Sequence, residues 1–312
     1  MTTSISTKSS QRLVIVLAIT TTVLTLGLVG LGSTVRVTNS GMGCPSWPLC
    51  YGQLGPIYRF HTILEESHRY LAATVSAFVV ATLLASRTTP KLKLTRRWSE
   101  ISAGLVLLQV LLGGLTVLAK NAPWTVSLHL IVGLIFLAST TTTATFAVIE
   151  RRFESLSSIS RIWGIGACIG VLLIFISGTT VVLSNSGPSC TTWPICTPGN
   201  PITPALIALT HRVIVLISTT FVGIFLYKGW RHSTRSWRKR TKWMILDLLA
   251  VIAVGALVAI SRSAPFWADL HLIVATIFWM LLVVQVITHG VEPRTSRQSN
   301  SSVTQTTNQA SR

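Results

Sequence analysis

Long apolar runs, interrupted mainly by small or hydroxyl-bearing residues, recur along the whole 312-residue chain. A helix rises about 1.5 Å per residue, so about 20 such residues cross the ~30 Å hydrocarbon core of a bilayer. On that measure the pattern predicts eight spans: 12–34, 66–86, 98–119, 124–148, 161–184, 205–229, 241–261 and 266–289. Polar stretches such as Thr140–Thr143 are compatible with lipid, because small hydroxyls bond back to their own helix and let neighbours pack closely. The first run is too long for the core of a signal peptide and has no small-residue cleavage site, so it is predicted to be a retained helix. The ends, 1–10 and 291–312, are rich in Ser, Thr, Gln and Asn and are expected to be disordered.

Composition agrees with lipid as the solvent. Apolar residues make up 49% and charged residues 11%, with a mean hydropathy of +0.61, whereas a soluble domain is about 25% charged. A soluble enzyme, a disordered tail protein and a small disulfide scaffold are thereby excluded. Lys and Arg total 26 against 8 Asp and Glu, a net charge of +18. Such a balance invites a nucleic-acid reading, but the placement of the charges removes it. With the N-terminus inside, 20 of the 26 basic residues fall in inner segments, including Arg87–Arg97, Arg151–Arg161 and Lys228–Lys242. The outer side keeps Arg36, Arg59, Arg69, Lys120, Arg212 and Arg262. This asymmetry predicts a multi-pass plasma-membrane protein with both termini cytoplasmic, its bases beside anionic lipid. No soluble domain gathers them, so no nucleic-acid partner is expected.

The two halves repeat. Thr34–Cys50 aligns without a gap onto Thr180–Cys196 at an offset of 146, with nine identities in 17 positions. A helix expected to open with His68-Arg69 recurs as His211-Arg212, offset 143, and Pro123 leading to His129 recurs as Pro265 leading to His271, offset 142. Four helices per unit is an even number, so both copies share one orientation. The fold predicted is an all-α membrane protein of eight transmembrane helices, two tandem four-helix bundles related by a pseudo-two-fold axis along the membrane normal. The division expected is a cytoplasmic tail over 1–11, an N-terminal half over 12–150, a C-terminal half over 151–290 and a disordered tail over 291–312.

Ionisable residues within membrane helices are costly and usually functional. His68, His129, His211 and His271 sit at repeated positions near outer helix ends. Proline just inside a helix start fixes the register, so each following histidine lies about 9 Å deeper. Paired imidazoles on facing helices are a standard way to hold haem iron in a bundle. The plainer alternative is a histidine bonded to a neighbouring hydroxyl, a role that four residues in a two-by-two pattern outgrow. Zinc is a weaker rival, since it favours a tetrahedral cluster with Cys or carboxylate. His232 and His289 read as surface residues of the inner side. His61, read in the first outer loop, has either an ordinary loop role or the orientation of a propionate.

The halves differ at Glu65, one turn before His68, where the second half has Ala208. Burying a carboxylate costs several kcal/mol unless it is paired, so its one-sided placement suggests chemistry in the first half only; the alternative is helix capping, the role read for Glu66. Cys44 and Cys50, like Cys190 and Cys196, have five residues between them in Pro- and Trp-containing outer loops. An oxidising face favours a disulfide in each pair, either as a staple worth roughly 2–3 kcal/mol or, for the first pair, as a redox couple beside Glu65. Cys168 lies in mid-helix and reads as a packing residue.

Jointly, Glu65-x-x-His68-Arg69, Asn121-Ala122-Pro123-Trp124 before His129, His211-Arg212, His271 and the two cysteine loops resemble the haem A synthase family, in its bacterial type with cysteine pairs. The resemblance covers about 12–289. It implies oxidation of the C8 methyl of haem O to the formyl group of haem A, which terminal oxidases use. It also implies His68 and His129 at the substrate haem, His211 and His271 as ligands of a haem b, and Glu65 as the catalytic carboxylate. Implied partners are haem O, haem A and membrane lipid, with the haem O synthase, a quinone or other electron acceptor, and an oligomer left open. The alternative is a di-haem b electron carrier of the cytochrome b561-like type. That class would stack haems across both leaflets and has no use for Glu65.

Overall fold

The computed structural model describes residues 2–53, 59–150, 158–196, 202–231 and 234–289. Among them are eight long helices: α1 (Thr2–Val37), α2 (Phe60–Arg87), α3 (Lys93–Leu118), α4 (Pro123–Ile149), α5 (Ser158–Leu183), α6 (Ile202–Arg231), α7 (Arg235–Ile260) and α8 (Pro265–Ile287). All eight are long and apolar enough to cross a membrane. Within the first half α1 packs on α2 and α4, and α3 on α2 and α4; the second half repeats this with α5 to α8. The halves meet where α1 touches α8, α5 touches α4, and α4 touches α8. Exchanging the halves maps this set of contacts onto itself, as a two-fold axis between α4 and α8 requires.

Local chemistry repeats with the topology. Pro123 and Pro265 open α4 and α8, where the missing N–H has no helical partner to lose. The chain leaves α1 and α5 through left-handed Asn39 and Asn185, with φ of 54° and 49°, a conformation asparagine tolerates well. The central helix α4 buries Ser139 to Ala147 without a break. Its hydroxyls turn back on their own helix, as Thr141 to the Leu137 carbonyl at 2.7 Å and Thr143 to that of Ser139 at 2.9 Å. Across helices, Thr21 meets Thr82 at 3.1 Å and Ser102 meets Ser139 at 2.9 Å. The main core crosses the division between halves: Leu134, Leu137 and Phe146 of α4 join Val171 of α5, Phe225 of α6 and Phe278 of α8. There the Trp279 indole N–H donates to the Leu134 carbonyl at 2.9 Å.

Several expectations are corrected. Residues 2–10, read as a disordered tail, continue α1; serine and threonine disfavour a core but not a helical extension of one already packed. Helices α2 and α6 begin at Phe60 and Ile202, several residues before the spans read at 66 and 205. The His-Arg pairs therefore stand two to three turns inside their helices rather than at their openings. His61 belongs to the first turn of α2, not to a loop, and Glu66 is buried in the second turn rather than at the helix start. His289 is not a bare surface residue, since its ring packs on Trp237 and Phe225 at centroid distances of 5.4 and 5.9 Å. Cys168 is unbonded and packs against the core, as expected. His232 and the segment 291–312 lie outside the described residues.

Candidate functional site

Each histidine is delivered by an even-numbered helix and faces a glycine of an odd-numbered one. A methyl on Gly32 of α1 would stand 3.0 Å from Nε2 of His68, and one on Gly113 of α3 would stand 3.5 Å from Cε1 of His129. In the second half, Gly178 of α5 meets His211 at 3.3 Å and Gly255 of α7 meets His271 at 2.9 Å. These glycines are related by the same offsets, 146 and 142, as the rest of the repeat. His68 and His129 are close enough for their charges to interact, and so are His211 and His271. The structure thus makes two pairs of imidazoles, each ring laid against bare backbone.

That arrangement fits a flat macrocycle held between two helices. Nδ1 of His129 and of His271 are buried without a well-formed hydrogen bond, although the backbone of Val251 interacts with the latter. The glycines let each imidazole lie directly against the backbone of the neighbouring helix, where a side chain would displace it. Among the described residues no group of three His, Cys, Asp or Glu side chains converges as a bare zinc ion requires.

The cysteine loops close over this end of the bundle. Both pairs are disulfides, Cys44–Cys50 and Cys190–Cys196. The arginine of each His-Arg pair is their anchor, a role not read in the sequence. Arg69 donates to the carbonyls of Cys44, Ser46 and Pro48 at 3.1, 2.8 and 3.4 Å. Arg212 repeats this on Cys190, Thr192 and Pro194 at 3.1, 2.8 and 2.9 Å. The signal was present in both halves, but its meaning depends on loop carbonyls that converge only in the fold. Replacing Arg212 by alanine should free the loop and speed reduction of Cys190–Cys196 about fivefold, the effect of roughly 1 kcal/mol. Thiol alkylation followed by mass spectrometry reads that rate, and an unchanged rate would contradict the anchoring role.

Glu65 is buried, at 7% exposure, and its Oε1 accepts from Nε of Arg69 at 3.0 Å. In the second half Ala208 is equally buried, at 6%, so Arg212 has the loop contacts without the carboxylate. Glu65 lies in the second turn of α2, which removes the alternative of an N-terminal cap. His61, Glu65 and His68 follow at intervals of four and three residues and share one face of α2. His61 is fixed through Ser40 at 2.8 Å, which meets Thr38 at 2.7 Å; Thr38 in turn donates to the Thr34 carbonyl at 2.7 Å. The second half keeps that hydroxyl chain as Ser186 and Ser184 but has Pro204 in place of His61.

Gln109 of α3 is a further polar residue peculiar to the first half that the sequence reading passed over. Its amide donates to the His129 carbonyl at 3.0 Å, and its Oε1 is buried without a partner. At the 142 offset the second half has Val251, so comparing the repeats residue by residue would have found it.

Known proteins place the chain. Residues 15–159 match the family described as Cytochrome oxidase assembly protein. The chain is 28% identical over 263 residues to the Heme A synthase of Bacillus licheniformis, covering 78% of this chain and 84% of that one. It is 28% identical to the Heme A synthase of Geobacillus kaustophilus, with 81% and 83% covered. With that of Bacillus cereus it shares 25% identity over 312 residues, covering 95% and 99% of the two chains.

Proposed function

We propose, since the chain belongs to the haem A synthase family, that it oxidises the C8 methyl of haem O to the formyl group of haem A. The substrate haem lies between His68 and His129, and a resident haem b between His211 and His271. The observation that carries this division is the asymmetry of an otherwise faithful duplication. The first half alone has His61, Glu65 and Gln109, where the second has Pro204, Ala208 and Val251. A half with a buried carboxylate is suited to chemistry, and one that pairs its two histidines without that carboxylate is suited to electron transfer. The distribution of basic residues supports both termini lying in the cytoplasm and the haem sites toward the outer face of the plasma membrane.

When bound, haem b supplies one-electron transfer out of the site. The chain's own residues do the rest. The Arg69 guanidinium fixes the Glu65 carboxylate against α2, and the disulfide loop held by the same arginine lies over that end of the half. A fixed negative charge in a water-poor site stabilises positive charge that develops at the methyl carbon, or takes up a proton as that carbon is oxidised. Two successive two-electron oxidations bring a methyl to an aldehyde: water supplies the oxygen, four protons are released, and four electrons leave one at a time toward the external acceptor. Gly32 and Gly113 let His68 and His129 sit close against α1 and α3, which sets where their rings stand. The electron acceptor, whether a quinone or another carrier, and the haem O synthase are proposed partners outside this chain.

Haem extraction and chromatography of the purified protein test the assignment. Haem A and haem O together with haem b support it, and haem b alone would favour the electron carrier. A narrower test is Gly255→Ala, which sets a methyl 2.9 Å from the His271 ring, closer than carbon atoms pack without displacement. Its haem b content should fall severalfold with haem O binding kept. Full haem b content would contradict the cradle.

A further inference from the structure

The hydroxyl of Ser177 on α5 lies 2.8 Å from Nδ1 of His211 and 2.9 Å from the carbonyl of Ile174. A serine hydroxyl has one proton to donate. The Ile174 carbonyl can only accept, so that proton goes to Ile174, and Ser177 must accept from Nδ1–H of His211. His211 is thereby the Nδ1–H tautomer, with its lone pair on Nε2, the atom that points away from α5. In the first half the same place, at the 146 offset, holds Leu31, whose side chain has no polar atom. The rings differ accordingly: His211 turns its Cε1 and Nδ1 toward Gly178, whereas His68 turns Nε2 and Cδ2 toward Gly32.

We infer that Ser177 is a positioning residue that latches His211 as a permanent haem ligand, and that Leu31 leaves His68 an unlatched ligand, so that the first half is the site from which haem is exchanged. This rests on the proposed binding of haem b by His211 and adds to it a reason why two sites of one ancestry differ in residence time. A catalyst must release its product, whereas an electron relay must keep its haem. The bond that distinguishes the two is donated from the ring nitrogen that does not ligate iron. It fixes the tautomer and the ring plane and makes the ligating nitrogen more basic, which favours ferric iron. His68 has to turn away from α1 before its Nε2 can reach a metal, a movement no hydrogen bond from residue 31 opposes.

The test uses purified holoprotein containing haem b, with apomyoglobin as the haem acceptor. Ser177→Ala should lose haem b about 10- to 100-fold faster, the usual effect of removing a ligand's outer hydrogen-bond partner. Its ferric/ferrous midpoint potential should rise. Ser177→Thr, which keeps the hydroxyl, should restore both values, an outcome that a merely structural role for Ser177 does not predict for the potential. In the reciprocal variant, Leu31→Ser, haem A should leave more slowly than from the unaltered chain. Wild-type haem loss and an unmoved potential in Ser177→Ala would overturn the latch. Full haem b content in His211→Ala would instead overturn the ligand assignment beneath it, and the two failures are read from different variants.

Discussion

Replacing Glu65 by alanine should lower conversion of haem O to haem A by about a hundred- to a thousandfold, the scale on which a single preorganised electrostatic group acts. Haem b bound in the second half should be unaffected, because the carboxylate has no counterpart there. The ion pair with Arg69 makes the choice of variants important. Alanine removes the charge and also releases a side chain that holds the Cys44–Cys50 loop, whereas Glu65→Gln keeps an acceptor for Nε of Arg69 and removes only the charge. If charge at the methyl carbon is what matters, glutamine is as inactive as alanine when turnover is measured with a saturating haem O supply. Activity near normal in the glutamine variant would mean that Glu65 serves only to seat Arg69.

His211→Ala should remove haem b from the protein, with a fall of more than about tenfold in low-spin haem b absorbance, since even outer-shell partners of a metal ligand matter on that scale. His271→Ala should do the same, as the two rings form one pair. The first half does not depend on either residue for its fold: its histidines face α1 and α3, and its loop is anchored by Arg69. Binding of haem O by His211→Ala should therefore persist while turnover stops for want of an electron exit. Spectra of the two variants, recorded with and without haem O, separate these outcomes. A normal low-spin haem b spectrum in His211→Ala would refute the ligand assignment.

How much of this was legible in the sequence follows from which interactions are local. Eight spans, their division into two fours and the four histidines come from periodicity and duplication, both properties of the chain in order. The cysteine pairs are equally local, six positions apart in sequence and joined as disulfides. Helix starts were less legible. Glu65, Glu66 and Ser67 look like the end of a membrane segment, yet α2 runs six residues further back, because Glu65 is neutralised by Arg69 and buried rather than exposed. Arg69 and Arg212 were visible as repeated residues, but a charge beside a histidine does not announce that three loop carbonyls will surround it. The glycines facing the rings carry no chemistry of their own, and only their offsets of 146 and 142 could have marked them. Ser177 and Gln109 are informative through what replaces them, Leu31 and Val251, a comparison that needs the register of both halves and knowledge of which helix faces the ring.

The division of labour between a catalytic and an electron-transferring half depends on the reaction itself, and mass analysis of the bound haem after coexpression with a haem O source tests it most directly. The expected product is haem O bearing a formyl group in place of one methyl, a gain of one oxygen and a loss of two hydrogens, in the unaltered protein and not in Glu65→Ala. Recovery of haem b alone, or of haem O that never gains the oxygen, would contradict it.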